Sequence, residues 1–256
     1  MQDVRIQIEE DVTLKDPVLV EGLPGIGSVG KLAADYLKDA LSATRFATIH
    51  SKYFPPQVYV DENGIIRLVS NDLYYRKATK AGQRDLIILV GDYQGISPEG
   101  QYELTDQVLL LCSKLGVREV YTLAGFAQGH LVESPRVLGA ATSPQRVELM
   151  KKYGVIFSRN DPGGGLIGAS GLFLGLGKLY GMESVCLMGE TSGYFADPRS
   201  AEAVLRVLAK ALNLDVDLST LEAKAKEIER IAARFRESDT KPSPEAQPKE
   251  DLGYIG

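Results

Sequence analysis

The 256-residue chain is 44% hydrophobic, enough for one large domain or a domain with appendages. Its 29 Lys and Arg against 34 Asp and Glu leave a net charge of −5 with both signs scattered, so no basic stripe offers itself to nucleic acid. No apolar run approaches the roughly 18 residues of a membrane span, the start lacks a signal-peptide pattern, and Cys112 and Cys186 sit inside apolar runs, so a reducing cytoplasm and no membrane partner are expected.

In chain order, the first clear strand is VLVEG (18–22), which runs into a glycine-dense loop and a helix. Further β-rich runs follow at RFATIH (45–50), IIRLVS (65–70), DLIILVGD (85–92), EVYTLAG (119–125) and SVCLMGE (184–190). Their near-continuous hydrophobicity predicts strands buried on both faces. Amphipathic stretches at 98–116, 143–154 and 197–213 alternate with them, and Pro near the start of the first and third suits a helix N-terminus. The pattern predicts an open α/β sheet with helices on both sides. Asn63-Gly64 between the alternating runs of 57–70 reads as an antiparallel hairpin, which makes the sheet mixed. These elements make up a core domain over 1–213.

From 214 the character changes. Ser219 and Glu222 have capping-box spacing, and Leu214, Leu218, Leu221, Ala225, Ile228, Ala232 and Phe235 form a heptad seam. An amphipathic helix over 214–237 is expected, docked on its own domain or on another subunit. Residues 238–256 read as a disordered tether with an apolar tip, LGYIG, because the tether is charged, proline-rich and almost free of large apolar side chains.

Two loops invite a search for chemistry. Gly25-x-Gly27-x-x-Gly30 has dinucleotide-fingerprint spacing, but the next strand ends in His50-Ser51-Lys52 where a ribose-binding acid is needed. Gly25 to Lys31 also matches a phosphate loop, but Leu32 stands where Ser or Thr must bind magnesium. Gly25, Gly27, Gly30 and Lys31 are thus a possible ligand loop, or a glycine corner that lets the helix start close to the sheet. The glycines of 161–181 continue at helical spacing and fit a tightly packed helix.

Glu21, Asp92 and Glu190 each close an apolar strand, where ligands of α/β sheets gather, and could bind a metal, do acid/base work or cap helices. His50 and His130 lie far apart, and Ser134 and Ser192 have no adjacent base, so no hydrolytic triad is expected. Neither cysteine has metal-ligand spacing. No catalytic residue, metal or cofactor is expected.

GLPGIGSVG, LVGDYQG, AGFAQG, GGGLIGASGLFLGLG and MGETSGYFADP, in that order over about residues 10–236, resemble the archaeal branch of the proteasome assembly chaperone 2 family. The resemblance implies a three-layer α/β/α sandwich of nucleoside-phosphorylase-like architecture, with a mostly parallel, mixed sheet and no enzyme activity. It also implies a homo-oligomer that docks C-terminal tails between α-subunits of the proteasome core particle. Leu252, Tyr254, Ile255 and Gly256 are the expected partner-binding residues. The family tail motif has a penultimate tyrosine, whereas Ile255 is penultimate here and Tyr254 third from the end. The competing expectations are a nucleotide- or small-ligand-binding enzyme of the same architecture, and a ring or cage subunit that contacts another assembly protein and not the proteasome.

Overall fold

A computed structural model describes residues 3–157, 165–221 and 223. Its elements are β1 (Val4–Ile8), β2 (Val18–Gly22), a 3-10 turn (Ile26–Ser28), α1 (Val29–Ala40), β3 (Thr44–Ser51), β4 (Val58–Val60), β5 (Ile66–Leu68), β6 (Asn71–Arg76) and β7 (Leu86–Gly91). They continue with α2 (Pro98–Lys114), β8 (Glu119–Ala127), β9 (Val137–Ala141), α3 (Pro144–Lys151), α4 (Ala169–Gly177), β10 (Glu183–Thr191) and α5 (Pro198–Ala211).

Eight strands form one sheet in the order β1-β3-β6-β7-β2-β8-β10-β9. Its centre, β7-β2-β8-β10, is parallel, and β3 points the same way; β1, β6 and β9 run against them. The fold is the expected mixed α/β sheet, but the source of the mixing differs. The hairpin at 57–70 forms, as β4 and β5, yet it stands apart as its own two-stranded ribbon. The antiparallel strands of the main sheet are β1, β6 and β9, whose polar or half-exposed residues hide them from a search for apolar runs.

The central strands are buried on both faces, so successive residues feed opposite layers. Val18 and Val20 of β2 pack with Leu86, Ile88, Leu123, Val185 and Leu187 under α1 and α5. Leu19 faces the other way, with Ile87, Leu89 and Val120, under α2 and α4. Three helices start alike, with an oxygen-bearing N-cap followed by proline. Ser97 accepts the Gly100 N–H, Ser143 that of Arg146, and Asp197 that of Ser200. Each such cap contributes about 1 kcal/mol. Proline at the next position loses nothing, because its missing N–H has no helical partner there.

A helix begins at Ser219, whose N–H is accepted by the Asp217 carboxylate, and Leu218 and Leu221 are buried with α1 and α5. The start of the heptad seam therefore packs on its own domain. Glu222, Ala225, Ile228, Ala232 and Phe235 lie outside the described residues, as do Leu252, Tyr254, Ile255 and Gly256.

Two glycines with opposite surroundings test the packing. A Cβ on Gly30 would stand 2.0 Å from the Leu123 carbonyl oxygen, whereas one on Gly175, inside α4, meets nothing within 4 Å. Gly30→Ala is expected to destabilise by about 1–3 kcal/mol or more. Gly175→Ala should stabilise by about 0.5–1 kcal/mol through helix propensity. Urea unfolding of the two variants checks both signs.

Candidate functional site

The glycine loop leaves β2 and enters α1 through the 3-10 turn. Gly27 and Ser28 take left-handed backbone, at φ 59° and 49°. A side chain on Gly27 would run into Thr191, 2.8 Å away. Part of the loop's backbone is bonded within the fold: the Ser28 N–H donates to Gly25 O at 2.9 Å, and Gly27 O accepts the N–H of Asp197, the cap of α5, at 2.8 Å. Lys31 extends along α1 to Asp35, Nζ to Oδ2 2.9 Å. Sheet order also departs from a dinucleotide fold. β3, the strand that follows α1 and carries His50, is separated from β2 by β6 and β7, and the parallel neighbour of β2 on that side is β7, with Asp92 immediately after it.

Each strand-end carboxylate is held by a different set of partners. Asp92 forms a two-pronged pair with Arg67 of the ribbon, at 2.7 and 3.1 Å, and accepts the Ser70 N–H at 3.0 Å. Partial burial works against its charged form, but Arg67 and the Ser70 N–H outweigh it, so the carboxyl sits below its usual range. Glu190 accepts from Gln128 Nε2 at 2.9 Å, from the Arg136 N–H at 3.1 Å and from Arg136 Nε at 2.8 Å, with Nη2 of the same arginine on its other oxygen. The Arg136 guanidinium holds its carboxyl low. Both acids tie distant segments to the sheet end.

Glu21 differs, being fully buried in the middle of the sheet with no ion-pair partner among the described residues. Register places it in one row with Leu89 of β7, Thr122 of β8 and Cys186 of β10, beneath α4. Its carboxylate accepts the Ser170 hydroxyl and the Leu23 N–H, both at 3.1 Å. Desolvation pushes its pKa up to about 7 against these two hydrogen bonds. Burial likewise pushes the Cys186 thiol up to about 12, and Cys112 with it, so both cysteines are inert apolar filler.

Sequence reasoning missed the residues that close this corner. Gln94 donates from Nε2 to Pro24 O at 2.8 Å and accepts the Ala169 N–H at 3.0 Å, bridging the β2 loop to the start of α4. Beside it lies a cavity of about 20 Å³ lined by Leu23, Asn71, Gln94, Thr105 and Phe173, room for roughly one water molecule. Asn71 Oδ1 is buried with no hydrogen-bond partner among the described residues. Gly91 makes way for that side chain, since a Cβ there would meet Oδ1 at 1.8 Å. Among the described residues, no three His, Cys, Asp or Glu side chains gather to hold a metal ion, and no helix is long and apolar enough to cross a membrane. His50 and His130 sit on β3 and in the loop after β8, and among the described residues neither Ser134 nor Ser192 has a hydrogen bond to a basic side chain.

The model of the PAC2 family matches residues 19–236. An uncharacterized protein of Methanocaldococcus jannaschii, MJ1210, is 37% identical over 98% of this chain and 96% of its own length. Among solved structures, Pyrococcus furiosus PbaB, an archaeal proteasome activator, is 38% identical with a TM-score of 0.87, covering 92% of this chain and all of that one. PbaA of the same organism, an archaeal homolog of proteasome-assembly chaperone, is 27% identical with a TM-score of 0.76, each chain being covered to 93%.

Glu21 makes stability depend on pH. Its folded pKa of about 7 lies above the ordinary 4.5, so the native state holds a proton that the unfolded chain has released between those values. Stability should fall as pH rises from about 4.5 to 7, by up to about 3 kcal/mol. Denaturant unfolding at both ends of that window measures the fall, and Glu21→Gln is expected to flatten it while stabilising the protein at pH 8.

Proposed function

The chain belongs to the PAC2 family, and on that premise we propose that it is a non-enzymatic, homo-oligomeric cytoplasmic protein that binds the α-ring of the proteasome core particle or a related assembly. Contact runs through the segment bearing Leu252, Tyr254, Ile255 and Gly256. The observation that carries the reading is the likeness to PbaB, an archaeal proteasome activator, over 92% of this chain and the whole of that one. The strand ends support it too. Of the carboxylates that could have done chemistry, Asp92 and Glu190 are taken up in pairs with Arg67 and Arg136, and Glu21 is buried beneath α4 against the Ser170 hydroxyl.

The binding physics suits a tail. Tyr254 supplies an aromatic anchor that fills a pocket, with Leu252 and Ile255 adding apolar contact. One such tail binds weakly, and an oligomer that presents several gains through effective concentration.

Removing residues 250–256 from the full chain and measuring binding to isolated proteasome α-rings tests the reading. Binding should weaken by at least about tenfold, equivalent to 1.4 kcal/mol. Equal binding by the shortened chain would refute the role of the tail, and no binding by the full chain would refute proteasome association.

A further inference from the structure

One hydroxyl on the outer half of the sheet faces two acids. Thr48 on β3 stands directly opposite Asp72 on β6, on the face turned away from Ala47 and Leu73. Its Oγ1 lies 2.9 Å from Asp72 Oδ1 and 2.8 Å from Oε1 of Glu9, the acid just beyond β1. Both are hydrogen-bond distances between oxygens. A threonine hydroxyl has a single proton to give, and an ionised carboxylate has none. Two ionised carboxylates would leave one of these contacts as bare oxygen against oxygen, with like charges gathered on a buried hydroxyl.

We propose that Asp72 carries a second proton, which makes Asp72, Thr48 and Glu9 a proton-dependent clasp that holds the segment after β1 to β3 and β6. The Asp72 carboxyl donates to Thr48 Oγ1, and the Thr48 hydroxyl donates in turn to Glu9 Oε1. The surroundings assign the proton to Asp72. Glu9 has a cation of its own, Arg45, with Nε 3.2 Å from Oε2, whereas Asp72 has no ion-pair partner among the described residues. Besides Glu9 and Arg45, Asp72 is faced by Tyr74 on its own strand, with Lys38 of α1 over that ring, and by Asp92 and Arg67, which pair with each other. Arg5 of β1 and His50 of β3 stand opposite each other further along the same face. Burial pushes the Asp72 carboxyl above its usual range, against the Thr48 bond and the Arg45 charge.

Removing the proton leaves two carboxylates for one hydroxyl. Glu9 is the one to let go, because it is the more exposed and lies past the end of its strand. The Glu9 and Glu10 N–H groups, which both bond to Phe46 O at 2.8 and 3.3 Å, loosen with it. The closed clasp holds its proton more tightly than the open one, so it is shut at low pH and opens as pH rises through the Asp72 titration.

Residue-resolved NMR of the full chain provides the test, following the Asp72 carboxyl carbon and the exchange protection of the Glu9 and Glu10 amides against pH. The carboxyl should titrate above the ordinary 3.8. Protection of both amides, taken relative to the intrinsic exchange rate, should fall by at least about fivefold across that titration. In Asp72→Asn, which keeps the size and cannot ionise, the fall should vanish; Glu21 titrates in both chains and drops out of the comparison. Thr48→Val removes the shared hydroxyl and should likewise leave protection independent of the Asp72 titration. An Asp72 carboxyl that titrates at or below 3.8 would overturn the bound proton. A raised titration with unchanged protection, or a fall that persists in either variant, would overturn the clasp.

Discussion

Backbone lies directly against backbone where α1 crosses the end of the parallel sheet, and the rest of the architecture is arranged around that contact. Three glycines allow it. A Cβ on Gly22 would collide with Gly30 O at 2.3 Å, one on Gly30 with Leu123 O at 2.0 Å, and one on Gly125 with Ile26 O at 2.2 Å. No side chain at any of these places could yield, because the obstacles are main-chain atoms. With α1 seated this low, Val29, Ala33, Ala34 and Leu37 reach the sheet and α5 packs alongside. The loop that brings α1 in is fastened to the cap of α5 through Gly27 O, so two helices on one face share an anchor.

The same constraint explains a likeness that sequence spacing could not resolve. Phosphate-binding loops and this corner both need glycine where a helix begins against a strand, and the requirement for close approach is common to them. What separates them is where the N–H groups and the following strand go, and those are properties of long-range topology. β3 lands two strands away from the position a dinucleotide fold would give it, because β6 and β7 insert beside β2.

Much of the fold was readable from hydrophobic runs because the parallel centre is buried on both faces. β2, β7, β8 and β10 announce themselves, and the Ser-Pro and Asp-Pro pairs mark three helix starts. β1 and β6 were missed because one face of each is polar: Val4, Ile6 and Leu73 alternate with Arg5, Gln7 and Asp72. Within the candidate site the acids themselves were identifiable, since an acid after an apolar run stands out. Their partners were not, because Ser170 lies 149 residues from Glu21 and Arg136 lies 54 from Glu190. Gln94 carried no signal beyond its place in a turn, and its amide matters only because α4 starts where it points.

The ribbon's attachment has a mechanical consequence. It is tied at Asp92, immediately after β7, by the Arg67 pair, by the Ser70 N–H and by the Asp92 N–H to Ser70 O. β7 is not an edge strand; β6 and β2 flank it on either side. A load applied to the ribbon passes along the chain to β3 and β6 and through the Asp92 ties to β7, and each of these strands is flanked by two others. Had the ribbon grown from β1 or β9, the same pull could peel an edge strand away one bond at a time.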